Sequence, residues 1–258
     1  MEYLDDARKY LKDRLAAELS FQNNLEDLID KYSYKLVDIA YSSNIPYDVF
    51  TFTYNKDISE KVDKVIDEMQ SMIETMAETL AVADHKDNKD KILTYFSKDI
   101  AGENFYDRLD NHIKTFRKET EGIIAASLLL GTSKSVLKQN MATYRKMPYL
   151  NPIFKDAVKL NKGKASVLKN GGLHLGVGVS NCAYNSINTL GKFTIADAWQ
   201  RNWYDDWDRK GVIGYYVITQ SGACGTCSTN AGFHSDGNLP CYHVNCRCLA
   251  VPVFKEID

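Results

Sequence analysis

The sequence predicts an α+β chain that is predominantly helical, with long N-terminal helices followed by a small C-terminal β-region that carries a Cys/His cluster. Three observations predict it. Apolar residues recur at three- and four-residue steps through roughly the first two thirds of the chain, the period of an amphipathic helix. One later stretch, "VIGYYVITQ" (Val212 to Gln220), is β-branched and aromatic and reads as a strand. Five of the six cysteines fall between residues 224 and 248.

The helical elements follow in order. Leu4, Ala7, Leu11, Leu15 and Leu19 make a first apolar stripe, continued by Leu25, Leu28, Ile29, Tyr32, Leu36 and Ile39 and stopped by Pro46. "DISE" (Asp57 to Glu60) has the form of an N-cap with a capping-box acid. Behind it, Ile58, Val62, Val65, Ile66, Met69, Ile73, Met76 and Leu80 form one long stripe. "DHKDNKDK" (Asp84 to Lys91) is a polar loop or helix start. Phe105, Leu109, Ile113, Phe116, Ile123, Ile124, Leu128 and Leu130 define a third helix, which Gly131 breaks. Ser133 can cap a further helix that Pro148 ends. After Asn161 the composition changes, and "KNGGLHLGVGVS" (Lys169 to Ser180) reads as a glycine-rich hinge. "SNCAYNSINTL" to "WQRNWYDDWDRKG" is helical and aromatic, and "CLAVPVF" is a partner for the strand at Val212. The expected division is a helical domain over 1–160, suited to docking and assembly, and a C-terminal domain over 161–258.

With 258 residues, 44% of them hydrophobic, the chain fits one large domain or two small ones and can bury a real core. A formal net charge of -2 disfavours nucleic-acid binding by bulk charge. The start is charged throughout, without a signal-peptide core. "GIIAASLLLG" is about half of the ~20 residues that a bilayer span requires. A soluble protein of a reducing compartment is expected, with no membrane partner. There, clustered cysteines bind metal or do redox work more often than they pair.

Cys224 and Cys227 stand in a CxxC turn, which aims two thiolates inward from one tight loop, and Gly225 relaxes its backbone. "HVNC" gives the same reach with the imidazole of His243 and the thiolate of Cys246. Together these form a Cys3His set suited to a structural zinc ion. Cys248, Cys241 and His234 are substitutes or bystanders. Disulfide pairing is the alternative in an oxidising setting. A thioredoxin-like CxxC needs a helix N-terminus after a strand in a βαβ unit, and nothing after Cys227 reads as helical. Cys182 reads as a small buried side chain.

The order helix, aromatic helix, strand, CxxC turn and "P-x-x-H-x-N-C-R-C" resembles the C-terminal domain of the phage head morphogenesis family, the Mu F-like minor head proteins. The matching residues are Cys224, Cys227, Pro240, His243, Asn245, Cys246, Arg247 and Cys248. "GTSKSVLKQNM" and "NCAYNSINTL" stand where that family has a glycine-led helix and a polar helix, so the resemblance spans roughly residues 120 to 253. The chain departs from the family's pattern at Val244, at "QSGA" (Gln220 to Ala223) and at "SNCAYN". The resemblance implies a low-copy, non-enzymatic minor capsid component in the capsid interior or at the portal vertex, present in the host cytoplasm during assembly. Its implied partners are the portal protein and the scaffold or major capsid protein, with packaged double-stranded DNA as a further contact, and its implied roles are head assembly or DNA delivery. In this reading the zinc knuckle pins the last strand to the one at "GYYVITQ".

Two other functions are weighed against it. A zinc-containing nuclease of the HNH kind, or a toxin, would use "HVNC" as its active-site loop and needs a second histidine, for which only His234 is near in sequence. A nucleic-acid-binding zinc knuckle is disfavoured by the near-neutral charge. "GGLHLGVG" lacks the lysine-serine ending of a phosphate cradle. The carboxylates of "YDDWD" (Tyr204 to Asp208) read as a solvated helix face. His85, His112 and His174 read as ordinary residues, and Met69, Met72 and Met76 as core side chains that also suit an assembly interface.

Overall fold

A computed structural model describes residues 2–83, 88–99, 102–161, 181–209, 211–235, 239–240, 242–243 and 246–255. The elements among them are α1 (Glu2–Ser42), α2 (Lys56–Val82), α3 (Lys89–Phe96), α4 (Phe105–Leu129), α5 (Lys134–Tyr144), α6 (Pro152–Asn161), α7 (Ala183–Arg209), β1 (Val212–Ile218), α8 (Gly225–Thr229), β2 (Gly232–His234) and β3 (Leu249–Phe254). The fold is the predominantly helical α+β arrangement that the sequence predicts. The glycine-rich stretch expected as a hinge lies outside the described residues.

Leu25, Leu28, Ile29, Tyr32 and Leu36 of α1 are buried as expected, but the buried face of the helix's first half differs from the expected leucine stripe. Ala7, Tyr10, Arg14, Ala17, Phe21 and Leu25 are buried, at steps of three and four, whereas Leu19 is 56% exposed. Two charged residues on the buried side, Arg14 and Glu18, hide this face from a reading of hydrophobic period. α1 ends where the hydroxyls of Ser42 and Ser43 donate to the Ile39 and Ala40 carbonyls and Asn44 takes a φ of 53°. Asn tolerates that left-handed turn better than most residues.

α2 is capped by Asn55, whose Oδ1 accepts from the Ile58 amide at 3.0 Å, and not by Asp57. Asp57 sits in the first turn and pairs with Lys61 at 2.7 Å. Its stripe buries Ile58, Val62, Met69 and Ile73 as expected, but Met72 points outward at 47% exposure. α4 closes with Gly131 at φ 66°, where the Thr132 amide donates to the Ser127 carbonyl and the Gly131 amide to that of Leu128. This is a Schellman closure, which needs a residue free to adopt positive φ. Ser133 then caps α5 through the Val136 amide.

Packing groups the chain into two compact units that interleave in sequence: residues 1–22, 75–105 and 190–258 form one, and 23–74 with 106–189 the other. The division expected after residue 160 falls beside the undescribed segment 162–180, and α1, α2 and α7 each give residues to both units.

In the first unit, the aromatic residues of α7 meet the start of α1 and the end of α2. Tyr10 stacks on Trp203 with ring centroids 4.6 Å apart, and Trp199 Nε1 donates to the Leu80 carbonyl at 2.9 Å. Gly191 lets α7 approach the Phe21 ring, because a Cβ there would lie 2.1 Å from Phe21 Cζ. Gly191→Ala is therefore expected to destabilise the protein. Helix propensity gains about 1 kcal/mol, but overpacking against a fully buried ring costs about 1–3 kcal/mol and occasionally more. A lower urea midpoint at unchanged slope is the expected reading, and an unchanged or raised midpoint would contradict it.

The same unit holds the sheet, in the order β2-β1-β3. β1 pairs antiparallel with β2 (Tyr216 opposite Phe233) and with β3 (Tyr216 opposite Val251). β3 is an edge strand, which accommodates Pro252 because an edge position tolerates the missing N–H.

In the second unit, Arg145 ties α5 to α1 through Asp30 (Nε to Oδ1, 2.9 Å) and Glu26. Both carboxylate oxygens of Glu119 accept from the Ala183 amide, at 3.0 and 3.2 Å, at the start of α7. Burial pushes the Glu119 carboxyl up to about 7 from the usual 4.5, against the lowering effect of that amide. Because the folded value lies above the unfolded one, the folded state prefers the proton, and stability falls as pH rises from about 4.5 to 7. The loss reaches up to about 3 kcal/mol. Urea titrations at pH 5 and pH 8 check this: Glu119→Gln should lose less stability across the interval than the parent, and equal losses would refute the assignment.

Candidate metal centre

After β1 the chain turns through Gln220 and Ala223, whose amide donates to the Gln220 carbonyl, and enters α8. Cys224 is the N-cap of that single helical turn in extended geometry, and the Ser228 amide donates to its carbonyl at 2.9 Å. The sequence carries no helical signal beyond Cys227, yet α8 runs to Thr229. The turn forms because small polar residues, Gly-Thr-Cys-Ser-Thr, close it locally. Cys224 and Cys227 thus stand one turn apart with their sulfurs toward the same side. His243 and Cys246 are held in a second tight turn, closed by the Cys246 amide on the His243 carbonyl at 3.0 Å. Cys248 follows after Arg247, and β3 begins at the next residue.

These two turns bring five donors together. His243 Nε2 lies 2.9 Å from Cys227 Sγ and 3.1 Å from Cys224 Sγ, and Cys227 Sγ lies 3.9 Å from Cys246 Sγ. Two groups of ligand atoms, each within 4.8 Å of one another, share Cys227: one with Cys224 and His243, the other with Cys246 and Cys248. Cys227, Cys246 and Cys248 are buried, in one cluster with Trp207, Tyr215, Val217 and Ala250, whereas Cys224 is exposed.

The donor set fits a metal ion. Sulfurs at ~2.3 Å from a tetrahedral zinc stand about 3.8 Å apart, close to the separation of Cys227 and Cys246. The imidazole sits about half an ångström nearer the sulfurs than the roughly 3.5 Å that such a site sets, so a small retreat of the ring would admit the ion. Among the described residues no cysteine is in a disulfide. A 3.9 Å separation is far beyond the ~2.05 Å of an S–S bond.

The thiols are not equivalent. Hydrogen bonds from the Cys227 backbone amide and then its side chain lower the Cys224 pKa, aided by the charge of His243. Burial pushes the Cys227 thiol up, and also that of Cys248. Metal coordination would remove this penalty, because a bound divalent cation deprotonates a coordinating thiol outright.

The other sequence candidates separate from the site. His234 belongs to β2, which the sequence reading missed. Its Nε2 donates to the Asn230 carbonyl at 2.9 Å and its ring stacks on Tyr215, and it belongs to neither ligand group. Cys241 and Asn245 lie outside the described residues, as do His85 and His174. Cys182 is buried in the second unit, its Sγ 3.4 Å from the Lys146 carbonyl, and burial pushes its thiol up to about 11. Asp205 of "YDDWD" accepts from Lys91 at 2.6 Å and from the Tyr95 hydroxyl at 2.7 Å.

Two residues at the site carried no motif. Arg14 and Glu18 of α1 reach the second turn of the knuckle. Arg14 Nη2 donates to the Cys246 carbonyl at 2.7 Å, and Arg247 Nη1 meets Glu18 Oε2 at 3.3 Å. Only their spacing of four, with opposite charges on a face otherwise apolar, could have marked them.

No protein-family model matches the chain, and no curated protein or solved structure matches it. No helix among the described residues is long and apolar enough to cross a membrane.

Proposed function

We propose that this chain is a non-enzymatic minor head protein of a tailed bacteriophage, in which a structural zinc ion held by Cys224, Cys227, His243 and Cys246 staples the C-terminal sheet. The observation that carries the reading is the convergence of the CxxC turn and the H-x-x-C turn, at the end of a strand that pairs with the chain's last strand. That convergence supports the structural role which the resemblance to the Mu F-like family implies. Cys246 is taken as the fourth ligand because its sulfur stands at tetrahedral spacing from Cys227, and Cys248 is the substitute from the same group. The closed donor set favours a structural ion over a catalytic one, since a catalytic zinc keeps a position open for water or substrate. His234 engages Asn230 and does not stand beside His243 in a ligand group, so among the described residues the nuclease reading gains no second histidine at the site. Portal, scaffold or major capsid protein are the proposed partners, with packaged DNA nearby, in the capsid interior or at the portal vertex.

Two measurements test this. Metal analysis of protein purified without chelator should give one zinc per chain, and a value near zero together with disulfides seen by mass spectrometry would end the zinc assignment. Mass spectrometry of purified virions from the producing phage should find the chain as a low-copy component. Its repeated absence would remove the main support for the capsid role.

A further inference from the structure

Arg14 is completely buried and Glu18 nearly so, although both carry charge and their buried neighbours along α1 are Ala7, Tyr10, Ala17 and Phe21. Burying a guanidinium is costly unless opposite charge and hydrogen bonds replace its water. Glu18 supplies part of that: its Oε1 lies 3.4 Å from Arg14 Nε. Glu18 is also shared with Arg247, at 3.3 Å, and its charge reaches Lys192 of α7. Lys192 is held below its ordinary pKa by burial, and Arg247 pushes it the same way. The guanidiniums of Arg14 and Arg247 and the ammonium of Lys192 thus stand around one shared carboxylate.

A neighbouring group of the opposite sign is the metal knuckle. Three thiolates and a neutral imidazole around a divalent ion carry one net negative charge. Arg14 reaches into that knuckle, donating to the carbonyl of Cys246, and Arg247 stands between Cys246 and Cys248 in sequence.

We propose that Arg14 is a positioning residue of the metal centre: held by Glu18, it fixes the Cys246 turn through its carbonyl and offsets the negative charge of the thiolate–metal group. Through it, loading of the ion and packing of the first turns of α1 against the knuckle become one linked event. This rests on the zinc assignment above. Outer-shell partners of this sort are worth roughly 10–100-fold in metal affinity. The guanidinium suits the role better than an ammonium would, because its planar fork serves a carboxylate and a carbonyl at once.

Zinc affinity of the full chain, measured by competition with a chromogenic chelator, is the test. Cobalt(II) loading serves as a spectroscopic check on thiolate ligation. Arg14→Met, which keeps bulk and loses charge, should weaken zinc binding by roughly 10–100-fold. Arg14→Lys should recover part of the loss. The proposal is overturned if Arg14→Met binds as tightly as the parent or if Arg14→Lys recovers nothing. Should the Arg14 variants not fold, hydrogen exchange on the parent decides. Removing zinc with a chelator should lower amide protection over residues 7–21, and unchanged protection there would overturn the linkage. Failure of the underlying zinc assignment looks different, since the parent itself would then bind neither zinc nor cobalt.

Discussion

Replacing Cys224 and Cys227 together by serine is expected to abolish metal binding and to unfold the knuckle and its sheet, while leaving residues 23–74 and 106–160 protected. The magnitude comes from the ion: structural zinc contributes on the order of 10 kcal/mol or more to the folded state of its domain. Cys227 belongs to both ligand groups, so its loss breaks both. The reach of the damage follows from the packing. Cys227, Cys246 and Cys248 form one buried cluster with Trp207, Tyr215 and Val217, and Cys246 is tied to Arg14 of α1. Protection should therefore fall over 203–255 and weaken over 7–22. The second unit has its own core, including Ile58, Val62, Ile113 and Phe116, and its own ion pairs at Arg145. Hydrogen exchange with mass spectrometry reads this directly. Protection lost throughout the chain would show that the two compact units unfold as one, and protection kept over 212–254 would show that the knuckle is not the staple of the sheet.

Trp207→Ala should cost about 3–5 kcal/mol, the range for removing a fully buried aromatic side chain. Trp207 is 2% exposed and its ring lies 5.8 Å from that of Tyr215 and 5.9 Å from that of Trp203. It is the largest buried side chain in the cluster of the buried thiols, so its loss opens a cavity beside the ligands instead of at the surface. A drop in Tm of roughly 10 °C is expected for a chain of this size. Zinc affinity should fall with it, because water admitted to the cavity solvates the thiolates without the metal. A stability loss below about 1 kcal/mol, far under the usual cost of such a truncation, would show that α7 does not form the wall of the site.

The sequence by itself determined the helical character, the close of α4, the cap of α5, the strands β1 and β3 and the candidate donors of the site. Those features are local. Gly131 and Ser133 act on their own turns, the stripe from Ile58 to Ile73 repeats within one helix, and a CxxC or H-x-x-C spacing defines what two side chains in one loop can reach. β1 and β3 were legible because their β-branched and aromatic runs are short and sharply bounded. β2 was not, since three residues carry too little pattern, and the helical turn at Gly225–Thr229 was not, since its residues have weak helix propensity. The Asn55 cap was missed in favour of Asp57 because two capping residues stand within one turn, and only the start of the backbone ladder distinguishes them.

Tertiary structure alone decided which face of the first half of α1 is buried, which residues group as compact units, and what surrounds the thiols. The leucines at 4, 11, 15 and 19 form a plausible stripe, yet the buried side is that of Tyr10, Arg14 and Phe21, because Trp203, Gly191 and the Cys246 turn lie opposite it. Arg14 and Cys246 are separated by 232 positions, and no local period can announce a contact of that span. A charged residue is written as solvent-facing until a distant partner replaces its water, and here the partners include a carboxylate one turn away and a carbonyl 232 positions on.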